Sequence, residues 1–148
     1  MIKLNVGERV LFEMPFSEMK SLVGTMFFAT VLLGRAILFF TANDAMIADS
    51  QWYQLLDDIV DLSYWGIAPL IAAVILFVSM FSKSFTGQVG FTIGNLLAFC
   101  VYVALTATGA EQGLNWYTAF TNVVFANYHM IMTVLGVYRI WTIKRTTT

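Results

Sequence analysis

Asn122, Ala126, His129, Thr133 and Gly136 are spaced four, three, four and three residues apart. On an α-helix that spacing lines up one narrow face. The face carries an amide, an imidazole and a hydroxyl, with small residues between them. Three chemistries are open to His129. It can hydrogen-bond to Asn95, Thr92 or a backbone carbonyl as a neutral contact between helices. It can relay a proton or sense pH. It can ligate haem or a metal. The first is the reading adopted, because one histidine and one cysteine cannot complete a metal site by themselves. No cofactor and no metal are expected.

Arg35 is the second chemically loaded residue. It stands about six residues, roughly 9 Å, inside the end of an apolar stretch. A base at the centre of a membrane costs about 2.5–3.5 kcal/mol, and less near the interface. The expectation is that Arg35 snorkels outward to pair with Asp61 or Asp58, the alternative being an anion or proton site. The other acids, Asp57 among them, read as solubility and topology features and not as a cation site. Cys100, within LLAFCVYVAL, reads as a small apolar residue. Gly87, Gly90, Gly94 and Ala98 form a strip that lets two helix backbones approach closely. Tight packing of that helix against the one bearing His129 is expected, with Asn95 beside the polar row.

These residues need elements to hold them, and the composition says which. Of 148 residues, 59% are hydrophobic and only 11% charged, with a mean hydropathy of +0.75. Soluble domains carry about 25% charged residues. Residues 62–82 and 84–110 contain no charge, and 112–138 contain none but His129. Each stretch exceeds the roughly 20 residues needed to cross hydrocarbon as a helix. The stretch 22–40 is interrupted only by Arg35. The alternation of an outer-membrane barrel strand is missing from runs such as ILFVSMF.

The chain therefore reads as an all-α integral membrane protein, a bundle of four transmembrane helices at 21–42, 62–81, 89–108 and 117–141. It forms a single membrane domain, with a segment 1–20 ahead of the bundle and a tail 142–148 behind it. Val10, Leu11, Met14 and Phe16 suggest a short interfacial helix in the first segment. Ser17 is expected to cap the first span, and Pro69 to kink the second near its outer end. Trp52, Tyr53, Trp65, Trp116, Tyr117 and Trp141 fall at headgroup level as aromatic belts. Six charges in Met1–Lys20 rule out a cleaved secretory signal there, so the first span reads as an uncleaved anchor.

Every base but Arg35 lies in the first segment, the Lys83 loop, the tail or the last turn before the tail, namely Lys3, Arg9, Lys20, Lys83, Arg139, Lys144 and Arg145. The other two loops carry Asp44, Asp49, Asp57, Asp58, Asp61 and Glu111 and no base. By the positive-inside rule both termini face the cytoplasm, in what reads as a bacterial plasma membrane. The near balance of charge offers no basic face to nucleic acid.

No nucleophile elbow, zinc-protease motif, Walker loop or dinucleotide fingerprint is present. The first functional expectation is a non-enzymatic subunit or partner-binding component of a membrane complex, in contact with lipid and with copies of itself or other membrane subunits. A small oligomeric channel or transporter stands second, including phage-type permeabilising, immunity or exclusion proteins. In that reading the polar face of the fourth helix lines a path. A redox subunit using His129 stands third. The topology is directly testable. In a Cys100→Ser background, Ala45→Cys reacts with an impermeant maleimide in intact cells and Lys144→Cys does not; labelling at 144 would invert the orientation.

Overall fold

The computed structural model describes residues 16–82, 84–111 and 116–146. The described residues are helical, with no strand among them. The helices are α1 (Phe16–Thr41), α2 (Asp44–Asp49), α3 (Gln51–Ile59), α4 (Leu62–Trp65), α5 (Ile67–Met80), α6 (Phe85–Glu111) and α7 (Trp116–Thr146). Four stretches are long and apolar enough to cross a membrane: Leu22–Thr41, Leu62–Met80, Phe85–Thr108 and Tyr117–Arg145. They fall where the charge gaps place them. The third starts four residues before the expected Val89, and the fourth runs past Trp141. A helical ladder has no reason to stop at the edge of the hydrocarbon if a cap continues it. Ser84 supplies that cap for α6, its hydroxyl accepting from the Gly87 N–H at 3.2 Å.

Two expectations about the start of the chain are settled differently. The expected interfacial helix falls mainly on residues 1–15, outside the described residues. Ser17 lies within the first turn of α1 and so is not its cap.

The segment between the first two spans is built, not loose. Asn43 caps α2 through its side chain, which accepts from the Met46 N–H at 2.9 Å. Ser50 caps α3 in the same manner on Tyr53. Leu56 of α3 is fully buried, while Trp52 and Tyr53 lie against Phe39 of α1. The aromatic pair thus closes one end of the bundle by packing on a core residue.

The second span is interrupted at Gly66. Pro69 has no N–H to return to the Trp65 carbonyl, so the ladder breaks one turn earlier. The Gly66 N–H instead closes a tight turn on the Ser63 carbonyl at 3.1 Å, and α5 proceeds from there. Gly66 also serves a crossing. A Cβ there would stand 3.0 Å from the Phe40 ring and 3.1 Å from the Ala36 carbonyl of α1.

In space, α1 packs on α5, α5 on α6 and α6 on α7. The core runs through Leu32, Ala36 and Phe39, then Ala72, Ala73 and Leu76, then Ala98, Tyr102 and Leu105, reaching Ala126. The spans α6 and α7 do pack tightly. The glycine strip, however, does not face α7. A Cβ on Gly90 would stand 2.5 Å from Ser79 Oγ, and one on Gly94 2.9 Å from Leu76, both on α5. Gly87 meets Ser82 just beyond α5, and Ala98 joins the core. Successive residues point about 100° apart around a helix. The strip can therefore serve one neighbour while Asn95, next to Gly94, serves another. The close approach of α7 to α6 comes from Gly136, which sits directly over Thr92.

These contacts separate two glycines that look alike in sequence. Gly94→Leu forces Leu76 and Ile75 apart and costs about 1–3 kcal/mol in overpacking. Gly34 has nothing within 4 Å of its would-be Cβ. Gly34→Ala is neutral or gains up to about 1 kcal/mol of helix propensity. Thermal unfolding of both variants in one mild detergent checks the contrast; equal effects would refute the assigned α5–α6 contact.

Candidate intramembrane polar site

The His129 row is buried as a unit. Asn122 and His129 are completely inaccessible, and Ala126 and Gly136 are buried with them. Thr133 is half-buried and bonds back to the His129 carbonyl at 2.8 Å, so its hydroxyl serves its own helix. His129 Nδ1 lies 2.8 Å from Asn95 Oδ1, across the α6–α7 interface. The proton can be placed. Asn95 donates from Nδ2 to the Phe91 carbonyl at 2.8 Å, which leaves its Oδ1 as an acceptor. His129 must then donate from Nδ1, and Nε2 carries a lone pair.

Tyr102 completes this layer, and its signal in the sequence is positional. It follows Asn95 by one heptad on α6, as Asn122 precedes His129 by one heptad on antiparallel α7. The Tyr102 ring lies nearly parallel to the imidazole, 11° between planes and 5.6 Å between centres. Phe28 of α1 meets the imidazole edge-on at 5.2 Å and stacks on Tyr128 at 3.8 Å. Phe125 closes against Tyr102 at 5.2 Å. An aromatic sleeve thus surrounds the only histidine.

Arg35 departs from expectation. Its Nη2 donates to Asn122 Oδ1 at 2.7 Å, and its Cζ lies 5.4 Å from the Tyr102 ring centre. The guanidinium turns into the bundle, and among the described residues no carboxylate pairs with it. Neither Asp61 nor Asp58 pairs with it, and Asp61 and Asp57 are engaged at helix ends. Asp61, fully exposed, caps α4 by accepting from the Ser63 N–H at 2.9 Å and from its hydroxyl. The Ser63 hydroxyl and then its N–H hold the Asp61 carboxyl below the usual carboxylate range. Asp57 accepts from the Leu62 N–H at 2.8 Å. Their short side chains serve helix ends at their own level and do not reach Arg35.

Three polar atoms in this cluster are buried without a hydrogen-bond partner: Tyr102 Oη, Asn122 Nδ2 and His129 Nε2. Interhelical hydrogen bonds in membrane proteins average about 0.6 kcal/mol and reach about 1.7. An intramembrane arginine costs about 2.5–3.5 kcal/mol at the centre of the span. Arg35 is half-buried and off-centre, which lowers its cost. Inside the bundle its charge meets one neutral amide and the face of the Tyr102 ring, and no carboxylate among the described residues.

Toward the Lys83 end the polar groups thin out. Thr92 and Ser79 are buried and bond back to the carbonyls of Gln88 and Ile75. Among the described residues, no group of three His, Cys, Asp or Glu could hold a metal ion. Cys100 is exposed on the outside of the bundle, lining an apolar groove of about 370 Å³ with Trp65, Ala68 and Leu97.

A second feature was missed because it lies off the row. Asn127 is exposed on the outer surface of α7. It lines a groove of about 340 Å³ between α6 and α7, with Phe99, Val103, Thr106, Ala107, Val123 and Ala126. No family model, curated protein or solved structure matches the chain.

The Asn95–His129 bond gives a quantitative test. Asn95→Leu and His129→Leu each strand a buried partner and cost about 1–3 kcal/mol. The double variant costs less than the sum, with a coupling of about 0.6–1.7 kcal/mol. A double-mutant cycle by thermal unfolding measures it; strict additivity would mean the two side chains do not interact.

Proposed function

We propose that this chain is a non-enzymatic multi-pass membrane protein that works as a subunit or partner-binding component of a membrane complex. The observation that carries the reading is Asn127. It stands ten residues into the fourth span, about 15 Å along a helix and so halfway through a layer of roughly 30 Å. An exposed amide at that depth faces hydrocarbon unless another helix covers it. Its Nδ2 bonds to the Val123 carbonyl of its own helix at 3.1 Å. Its Oδ1 accepts no hydrogen bond from the described residues and is left for a partner. Ala107 and Ala126 lower the walls of the groove beside it, which suits a transmembrane helix of another chain or of a second copy.

The charge asymmetry of the loops supports placement in a bacterial plasma membrane with both termini cytoplasmic. A second reading, a small oligomeric channel or transporter, is favoured by the buried polar layers from Arg35 and Asn122 through His129 and Asn95 to Thr92. A continuous polar lining is what such a path needs.

A photo-crosslinking residue at Val123, on the groove, tests the assembly reading in native membranes. A discrete higher-mass adduct that Asn127→Leu abolishes is expected. Adducts with lipid alone would defeat it, and ion flux from liposomes holding only this chain would move the weight to the second reading.

A further inference from the structure

We propose that Arg35, Asn122 and Tyr102 form a binding site for a single oxyanion group, a carboxylate or phosphate, presented by a small solute or by a lipid headgroup. The proposal does not depend on the assembly reading, which concerns the opposite face of α7.

The sign of the ligand follows from Arg35, whose charge meets no carboxylate among the described residues. The atoms beside it are the second argument. Asn122 Oδ1 accepts from Arg35 at 2.7 Å, which turns the amide so that Nδ2, a donor, is the unpartnered atom. The Tyr102 hydroxyl is also unpartnered and buried, and the guanidinium lies against the same ring. Asn122 and Tyr102 are both completely inaccessible, so bulk water reaches neither donor. A guanidinium fork beside an amide N–H and a phenol O–H offers donors to one group of acceptor oxygens. A planar fork matches two oxygens of a carboxylate or phosphate better than a point charge would.

The neighbours set the size and the way in. Phe125 packs against the Tyr102 ring, and the imidazole lies behind it, so the site takes one anionic group and not a large solute. His129 Nε2, a lone-pair acceptor while Nδ1 donates to Asn95, is no anion ligand. Arg35 itself is half-buried at the seam where α1 and α7 meet through side chains. That seam is the open edge of the site.

The full chain in a neutral detergent, followed by the thermal unfolding of its tryptophan fluorescence, tests the proposal. In one arm sodium formate replaces sodium chloride at constant ionic strength. In the other, dihexanoyl phosphatidylglycerol is titrated against phosphatidylcholine of the same chain length. A saturable rise of several degrees is expected in at least one arm. Formate alone acting identifies a solute site, and the anionic lipid alone identifies a headgroup site. Arg35→Gln abolishes the rise. Asn122→Asp, nearly isosteric, supplies a carboxylate beside Arg35 within the chain. It raises the melting temperature without ligand and abolishes the response, and it decides the matter should Arg35→Gln fail to fold. No saturable response of the wild type in either arm, or a full response kept by Asn122→Asp, would overturn the proposal.

Discussion

The hydrogen bond from His129 to Asn95 sets the register on which the polar interior depends. Hydrocarbon offers no donor or acceptor, so a buried imidazole and a buried amide must find each other or lose their bonds altogether. Once they pair, the antiparallel run of α6 and α7 determines what meets above and below. One heptad toward the C-terminal end of α6, Tyr102 comes level with Asn122. Toward the Lys83 loop, Thr92 comes level with Gly136, whose missing side chain lets the two backbones close. A slip of one residue would rotate that face by about 100° and put Val123 and Met130, or Thr121 and Tyr128, where Asn122 and His129 now lie. The Phe91 carbonyl behind Asn95 adds direction, since it orients the amide and through it the imidazole proton.

Much of this was legible from residue types, because lipid penalises misplaced polarity more harshly than water penalises misplaced apolarity. The charge-free stretches mark the spans to within a few residues. The spacing of Asn122, His129 and Gly136 marks the buried face, and the same logic puts Asn95 among the candidate partners, with Thr92 and a backbone carbonyl. Legibility ended where two partners competed for one residue. Arg35 had acids at a plausible level in Asp58 and Asp61, and sequence alone does not show that Asp61 is engaged at the start of α4. The glycine strip raised the same difficulty. Small residues announce close approach, not the identity of the helix that approaches, and both α5 and α7 contact α6. Tyr102 escaped notice because a tyrosine in an apolar run resembles any other aromatic residue. Asn127 escaped because it lies off the row that organised the reading.

The seams of the bundle are unequal, and the inequality follows from the side chains. Between α5 and α6 the contact is made by Gly90 and Gly94 against Ser79 and Leu76; between α6 and α7 it is made by Gly136 against Thr92. Backbones that close share many small contacts and have little room to shift. Between α1 and α7 the spacers are long: Phe28 against Tyr128, and Arg35 reaching to Asn122. Gly24 approaches only the far end of Tyr128, whose hydroxyl would stand 3.3 Å from an added Cβ.

A seam held by long side chains opens by rotamer changes, whereas one held by glycines opens only by moving helices. If α1 and α7 part slightly, the cost is an aromatic stack of about 0.5–1.5 kcal/mol beyond its buried area and one charge-assisted bond. The α5–α6 seam would forfeit its whole interdigitated core. Arg35, which pairs with no carboxylate among the described residues, therefore lies along the seam that yields most easily. The residues that make the bundle rigid, Gly90, Gly94 and Gly136, all lie away from it. Rigidity on two sides and compliance on the third is the arrangement a buried polar site needs if its ligand is to enter from the membrane or from its surface.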